Sequence, residues 1–254
     1  MREISVSAEG RHGPFEESAM RTETGVSCPY GFSHLQYLDF IRADRCDEGA
    51  YETALAFGWR RSGRIFYRNR CADGCTSCVP IRFDANTLLP TKSQRHAIRM
   101  NADIKITVSP ASFERADYNL FKKYLETRHS ETAHSFDEEE YSQAYIRSPV
   151  ETLLARYWTE EGKLVAVSYL DSLPLGLSSV YFIFDPDEAK RSLGVYSVFA
   201  EANLLRSMGK RWYYLGFWIH DCLKMSYKGN FKPFETAHDG IWTRKDETSP
   251  DYTR

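Results

Sequence analysis

No stretch of this 254-residue chain approaches the ~18 consecutive apolar residues that a membrane-spanning helix needs. Its opening, MREISVSAEGRHGPFEESAM, follows its charges with no apolar core, so it does not read as a secretory signal. Neither sign of charge prevails over the whole chain: 33 Lys and Arg stand against 35 Asp and Glu, a net charge of −2. A cytoplasmic protein with no membrane partner is expected, and its six cysteines should be mostly reduced there. Cys46 and Cys222 are isolated and read as buried or incidental thiols. What the chain does have is material for an ordered fold. Hydrophobic residues make up 42% and aromatics 14%, enough for one large domain or two small ones.

Charge is concentrated locally. Between Trp59 and Asn101 lie nine basic residues, Arg60, Arg61, Arg64, Arg68, Arg70, Arg82, Lys92, Arg95 and Arg99, interleaved with Trp59, Phe66, Tyr67 and Phe83. Arginines supply phosphate contacts and aromatic faces can stack on bases, so a nucleic acid is the first partner to suspect. The same block carries Cys71, Cys75 and Cys78, which with Cys28 give four thiols, enough for a structural zinc or an iron–sulfur cluster. A metal-free, reduced loop is the equal alternative.

Residues 1–24 are polar and aperiodic and read as a mobile arm, followed by a basic, cysteine-bearing subdomain over 25–110 and a catalytic domain over 111–254. LQYLDFIR alternates, Ala50 to Phe57 has helical spacing stopped by Gly58, and IFYRNR and VPIRFDA read as strands flanking the cysteine loop. TKSQRHAIRMNA is a basic helix or loop, IKITVS a strand, the spacing of Phe113, Tyr118, Phe121 and Leu125 predicts a helix from Ala111 to His129, and YSQAYIRS a second short helix. ETLLARYW, KLVAVSYLDSL and LSSVYFIFD form a strand meander; after Asp185-Pro186-Asp187 come an amphipathic helix through Val195, Val198, Phe199, Ala202 and Leu205 and the strand RWYYLGFWI. That order predicts an α+β fold of the GNAT acyltransferase type, with a smaller N-terminal GNAT-like or cysteine-containing subdomain. In acetyltransferases of this fold a Gln/Arg-x-x-Gly-x-Gly/Ala loop cradles a pyrophosphate. Here it reads Arg191-Ser192-Leu193-Gly194-Val195-Tyr196, and the bulk of Tyr196 argues against an acyl-CoA donor. An acyl donor other than CoA, on a chain with a basic aromatic surface, points to aminoacyl-tRNA.

Cys28-Pro29-Tyr30, Gly58 to Gly63 with Tyr67-Arg68, Ser93-Gln94-Arg95 with Arg99 to Asp103, Tyr181 to Asp187, Tyr214 to Ile219, Lys224 to Lys228 and Phe231-Lys232-Pro233 occur in order over about residues 28–242. As an ordered set they resemble the arginyl-tRNA–protein transferase family, whose bacterial branch contains the aspartate/glutamate leucyltransferases. The resemblance implies transfer of an amino acid from charged tRNA to the α-amino group of a protein with an acidic N-terminal residue, creating a degradation signal. It also makes the cysteines a candidate iron–sulfur or redox-sensitive site, although no cofactor is required for the transfer. The cysteine loop, Cys71-x3-Cys75-x2-Cys78, is one residue longer than the family's C-x2-C-x2-C, and Gly31 and Phe32 depart from the loop expected after Cys-Pro-Tyr.

An aminoacyl ester is already activated, so the enzyme has to hold an amine against the carbonyl, accept a proton and stabilise an oxyanion. Asp185 and Asp187 are the candidates for binding or deprotonating the amine, and a turn that caps the next helix reads equally well from Asp-Pro-Asp. Tyr181 and Ser192 are lesser catalytic candidates, and core packing and capping are their alternatives. An acidic N-terminal side chain calls for an arginine reader, with Arg82, Arg95 and Arg99 the choices. Arg60, Arg61, Arg64, Arg68, Lys92, Lys224 and Lys228 are assigned to tRNA, with a solvated face as the alternative for the two lysines at 224 and 228. His220 is a candidate proton shuttle. Two other functions compete: a noncatalytic RNA-binding module around a metal-stabilised basic loop, which leaves the acyltransferase order idle, and an acyl-CoA acetyltransferase. Leucine is preferred as the amino acid carried, on the length of the chain alone, and arginine stays open.

Overall fold

The N-terminal strands are short because their apolar positions are few, and they reach stability by pairing around one longer strand. The computed structural model describes residues 15, 20–22, 25–71, 74–128 and 136–245. Strands β1 (Arg21–Thr22) and β2 (Val26–Ser27) both pair antiparallel with β3 (Leu35–Arg42). Helix α1 (Glu48–Leu55) follows, its first turn closed by Asp47, whose carboxylate accepts from the Ala50 N–H at 2.7 Å. Strand β4 (Trp59–Ser62) turns through Gly63, at φ +55°, into β5 (Ile65–Cys71), which pairs with β3 on its other side. The mobile arm expected over 1–24 falls mostly outside the described residues. Of its described positions, Phe15 is fully buried against Trp59 and Phe66, and Arg21 and Thr22 are in the sheet.

The remaining strands build one eight-stranded sheet. In chain order they are β6 (Val79–Asp84), helix α2 (Lys92–Met100), β7 (Lys105–Pro110), α3 (Arg115–Arg128), α4 (Glu138–Tyr141) running into a π turn, β8 (Thr152–Trp158), β9 (Leu164–Ser172), β10 (Gly176–Phe184), α5 (Leu193–Ser207), β11 (Trp212–Trp218), α6 (Leu223–Ser226), a 3-10 turn (Tyr227–Asn230), β12 (Phe234–His238) and β13 (Ile241–Lys245). The sheet order is β13-β12-β6-β11-β10-β9-β8-β7. Every pairing is antiparallel except β10 with β11. Helix α5 covers one face through Val198, Phe199 and Leu205 against Val165, Leu177 and Tyr213, and α3 covers the other through Phe121 and Leu125 against Val167, Tyr169 and Ile183. With helices on both faces, β9 is buried almost throughout, which is why its sequence reads as a continuous apolar run.

This is the α+β arrangement expected from the C-terminal half, with the three-strand meander, the helix and the following strand in the expected order. The sheets, however, divide the chain after Cys71 and not at 110, because β6 inserts between β12 and β11 and β7 extends the large sheet's far edge. Strands β4, β12 and β13 carry no strong apolar period, so their sequences do not mark them as strands. A shared core of Phe15, Ile41, Tyr51, Trp59 and Phe66 with Leu173, Trp212 and Tyr214 joins the two sheets. No helix among the described residues is long and apolar enough to cross a membrane.

Candidate active site

Strands β10 and β11 are hydrogen-bonded only over Gly176–Ser178 and Trp212–Tyr214, and then part. Irregularities sit side by side where they separate: the register of β10 on β9 shifts between Ser179 and Tyr181, and that of β11 on β6 between Tyr214 and Phe217. Gly216 makes the second possible, with φ at +81°, a region that a side chain disfavours. It also makes room, since a Cβ there would lie 3.3 Å from the Arg60 guanidinium. Arg60 enters this split from β4, donating from Nη2 to the Ser179 carbonyl at 2.6 Å and from Nη1 to Ser178 Oγ at 3.3 Å. Lys228 closes the other side, its Nζ donating to the Phe217 carbonyl at 2.9 Å. Burial first, and then the nearby Arg60 charge, push the Lys228 ammonium down to about 7. Neither cation meets a carboxylate among the described residues.

Tyrosines line the approach. Tyr145 stacks on Tyr181 of β10 at 5.2 Å between centroids, Tyr124 of α3 stands edge-on to Tyr181 at 6.2 Å, and Tyr67 of β5 and Tyr227 lie within electrostatic reach of this group. Burial raises the pKa of each of these phenols, so they present hydroxyls and ring faces and no anion. The site therefore offers stacking surfaces, a free edge of β10 and two cations beneath it. Ring faces, an unpaired strand edge and cations are the kinds of group that acyl transfer to an amine draws on for positioning and for stabilising negative charge. Tyr181 is the one sequence-predicted catalytic residue that lies in it.

Asp185 and Asp187 do not. Six residues along β10 from Ser179 is about 20 Å of strand. Asp185 is buried and held by Lys123 at 2.6 Å and Lys163 at 2.9 Å, and it accepts the Asp187 N–H. Burial works against its ionisation, but these hydrogen bonds outweigh it and keep the carboxyl below its ordinary range, a poor proton acceptor. Asp187 is exposed and paired with Lys123. The turn-and-cap reading of Asp-Pro-Asp is the one the structure shows. Ser192 sits exposed at φ +54° before α5 and makes no side-chain cap. Its neighbour Arg191 is tied to Asp103 and Glu188 across the loop, and Tyr196 packs edge-on to Tyr157.

The basic block also divides. Arg61 is wholly buried, with Nη2 and Nε on the Asp171 carboxylate at 2.5 and 2.8 Å, and cannot meet a tRNA phosphate. Arg60 and Lys228 are likewise enclosed at the split, a correction to their place on a tRNA surface; a solvated face fails for Lys228 as well. Arg82 does not stand free to read an acceptor: its guanidinium lies 3.6 Å from the Trp212 ring centre and 4.3 Å from that of Trp242, with Glu235 at 2.7 Å. Arg64 pairs with Asp44 and Arg68 with Asp39. Lys92, Arg95 and Arg99 on α2, and Lys224 on α6, are exposed. His220 bonds Asp221 at 2.7 Å and lines a cavity with Trp218 and His238.

The four thiols gather around the loop, where Cys71 hydrogen-bonds Cys75 and both influence Cys78 together with Cys28. Among the described residues, no three cysteine, histidine or carboxylate groups stand together in an arrangement that could hold a metal ion. Burial and the neighbouring sulfurs push the Cys78 thiol up to about 12 and raise Cys71. Cys46 and Cys222 are buried, as expected. A cavity of about 390 Å³ adjoins the loop, lined by Gly58, Arg68, Arg70, Cys71 and Phe217 among others.

The N-terminal family profile described as "Arginine-tRNA-protein transferase, N terminus" matches residues 26–96, and its C-terminal counterpart matches 116–238. The aspartate/glutamate leucyltransferase of Chromobacterium violaceum is 37% identical over 203 residues, 80% of this chain and 83% of that one. The enzyme of the same name from Saccharophagus degradans is 38% identical over 197 residues, 77% of this chain and 83% of that one. Among solved structures, L-PGS from Bacillus licheniformis superposes with a TM-score of 0.46 at 12% identity, covering 82% of this chain and 71% of that one. The tyrosine-lined split between β10 and β11 is thus the candidate centre of an aminoacyltransferase, and the chain belongs to the arginine-tRNA–protein transferase family.

Proposed function

We propose that this enzyme moves leucine from leucyl-tRNA to the α-amino group of proteins that begin with Asp or Glu, marking them for degradation in the cytoplasm. The amine attacks the ester carbonyl, the amide bond forms as the ester C–O bond breaks, and the amine's proton leaves with the terminal ribose hydroxyl of the tRNA. The observation that carries this reading is the pair of cations, Arg60 and Lys228, at the foot of an aromatic cleft with no described carboxylate partner. That arrangement suits a substrate bearing negative charge. The names of the curated relatives supply the amino acid and the acceptor class. The raised thiols support direct aminolysis without an acyl-enzyme on cysteine. The exposed basic face of α2 supports a role in holding tRNA.

The test is transfer of radiolabelled amino acid from leucyl-tRNA and arginyl-tRNA, in parallel, onto peptides that begin with Glu or Gln. Leucine appearing on the Glu peptide is expected. Label moving only from arginyl-tRNA would replace leucine with arginine, and no preference between peptides would remove the acidic acceptor.

A further inference from the structure

We propose that Arg60 and Lys228 read the acceptor, taking the carboxylate of its first side chain between guanidinium and ammonium at the floor of the split. The assignment rests on the acceptor class proposed above. The fold neutralises its other enclosed guanidiniums internally: Arg61 with Asp171, Arg68 with Asp39, Arg82 with Glu235, Arg156 with Asp117. Arg60 and Lys228, from segments far apart in sequence, are treated differently. Both are more than nine-tenths buried, they lie close enough for one charge to act on the other, and the described residues give them only carbonyl and hydroxyl partners. Buried cations left together in this way call for an anionic ligand.

Donors remain to bind it. Arg60 spends one hydrogen of each Nη on Ser178 and Ser179, which fixes the plane of its fork, and Lys228 spends one of three on Phe217. For groups this enclosed, a carboxylate on a peptide's first side chain is the slimmer anion, and a phosphate embedded in a tRNA backbone the bulkier one. Charge state adds a signature. Of the charged groups packed around Lys228, only Arg60 from β4 acts on it; β11 contributes a carbonyl, Tyr227 of its own turn is an un-ionised phenol, and Lys224 on α6 faces solvent. A bound carboxylate restores the lysine's proton, so acidic acceptors bind with proton uptake near neutrality.

The experiment measures kcat/KM of the full chain for two peptides differing only in Glu or Gln at the first position, with charged tRNA saturating. The α-amine titrates identically in both peptides, so it cancels in their ratio. In the wild type the Glu/Gln ratio should fall about tenfold between about pH 6 and pH 8 as Lys228 loses its proton in the free enzyme. Arg60→Gln and Lys228→Met should each reduce the ratio by about tenfold or more, and in Lys228→Met it should no longer change with pH. If the variants slow both peptides equally and keep the ratio, the cations serve the ester and the assignment is overturned while the acceptor class stands. A wild type indifferent to Glu and Gln overturns both. Should neither variant fold, the wild-type ratio decides alone, and a flat ratio overturns the assignment.

Discussion

The guanidinium of Arg61 shows what a buried charge does when its partner is built into the fold. Asp171 takes two of its donors, Thr152 Oγ1 gives the same carboxylate a hydrogen bond at 2.7 Å, and Arg61 Nη1 donates to the Gly63 carbonyl at 2.7 Å. Removing one member strands the other in a dry site. Asp171→Asn should therefore lower stability by about 3–5 kcal/mol, read as a shift in the urea midpoint with the slope unchanged. Lys228 is the opposite case, enclosed without a counter-charge. Its folded pKa, about 7, lies below its unfolded value, so the native state binds fewer protons across the interval between them. The sign follows: this lysine favours folding at high pH, and the advantage is lost as pH falls from about 10 towards 7. Lys228→Met carries no such proton, and other groups cancel between the two proteins. The variant should gain on the wild type by on the order of a few kcal/mol between about pH 10 and pH 7 in paired urea titrations. A difference independent of pH would place an ordinary, solvated ammonium at this position.

At the scale of elements, α2 separates folding from recognition along one helix. Thr91 and Gln94 form a capping box, Gln94 and Ala97 face inward, and Asn101 Nδ2 ties the C-terminal end to the Arg191 carbonyl at 2.7 Å. Lys92, Arg95 and Arg99 are left outside. Changing these three to Ala should leave stability within about 0.5 kcal/mol and flatten the dependence of log tRNA affinity on log salt by about two to three. An unchanged slope in a filter-binding series would take α2 off the tRNA surface. The helix was legible in the sequence as a basic segment with little apolar face. So were β8 to β10, α5 and β11, whose runs of Leu, Val, Tyr and Phe carry their own period. Strand β4 was not, because two arginines in Trp59–Ser62 read as surface, and only partners more than a hundred residues away, Asp171 and Ser179, show that both turn inward. Lys228 was hidden for the same reason. Arg82 matched the chemistry of a carboxylate reader, but Glu235 on the neighbouring strand, in register with it, had already claimed it.

The site exists only when both sheets are present. Arg60 and Tyr67 come from the N-terminal sheet, whereas Ser179, Tyr181, Gly216 and Lys228 belong to the large one or its connections. The joint between them is built like an interior. Trp59, Phe66 and Phe15 pack with Trp212 and Tyr214, Glu52 of α1 accepts from the Leu175 N–H and the Tyr214 hydroxyl at 3.0 Å, and Arg61 crosses to Asp171. Two lobes that merely touched would unfold in sequence, the smaller first. Here, separating the sheets would expose aromatic core and strand a buried aspartate and arginine, the latter alone costing about 3–5 kcal/mol. One cooperative transition is therefore expected in urea, with tryptophan fluorescence, to which Trp59 and Trp212 at the joint contribute among five tryptophans, coinciding with far-UV circular dichroism, which reports strands and helices throughout. Transferase activity should disappear over the same urea range. Loss of activity and of fluorescence at a lower concentration than the dichroism would show that the N-terminal sheet leaves first, and that the split can open while the large sheet stays folded.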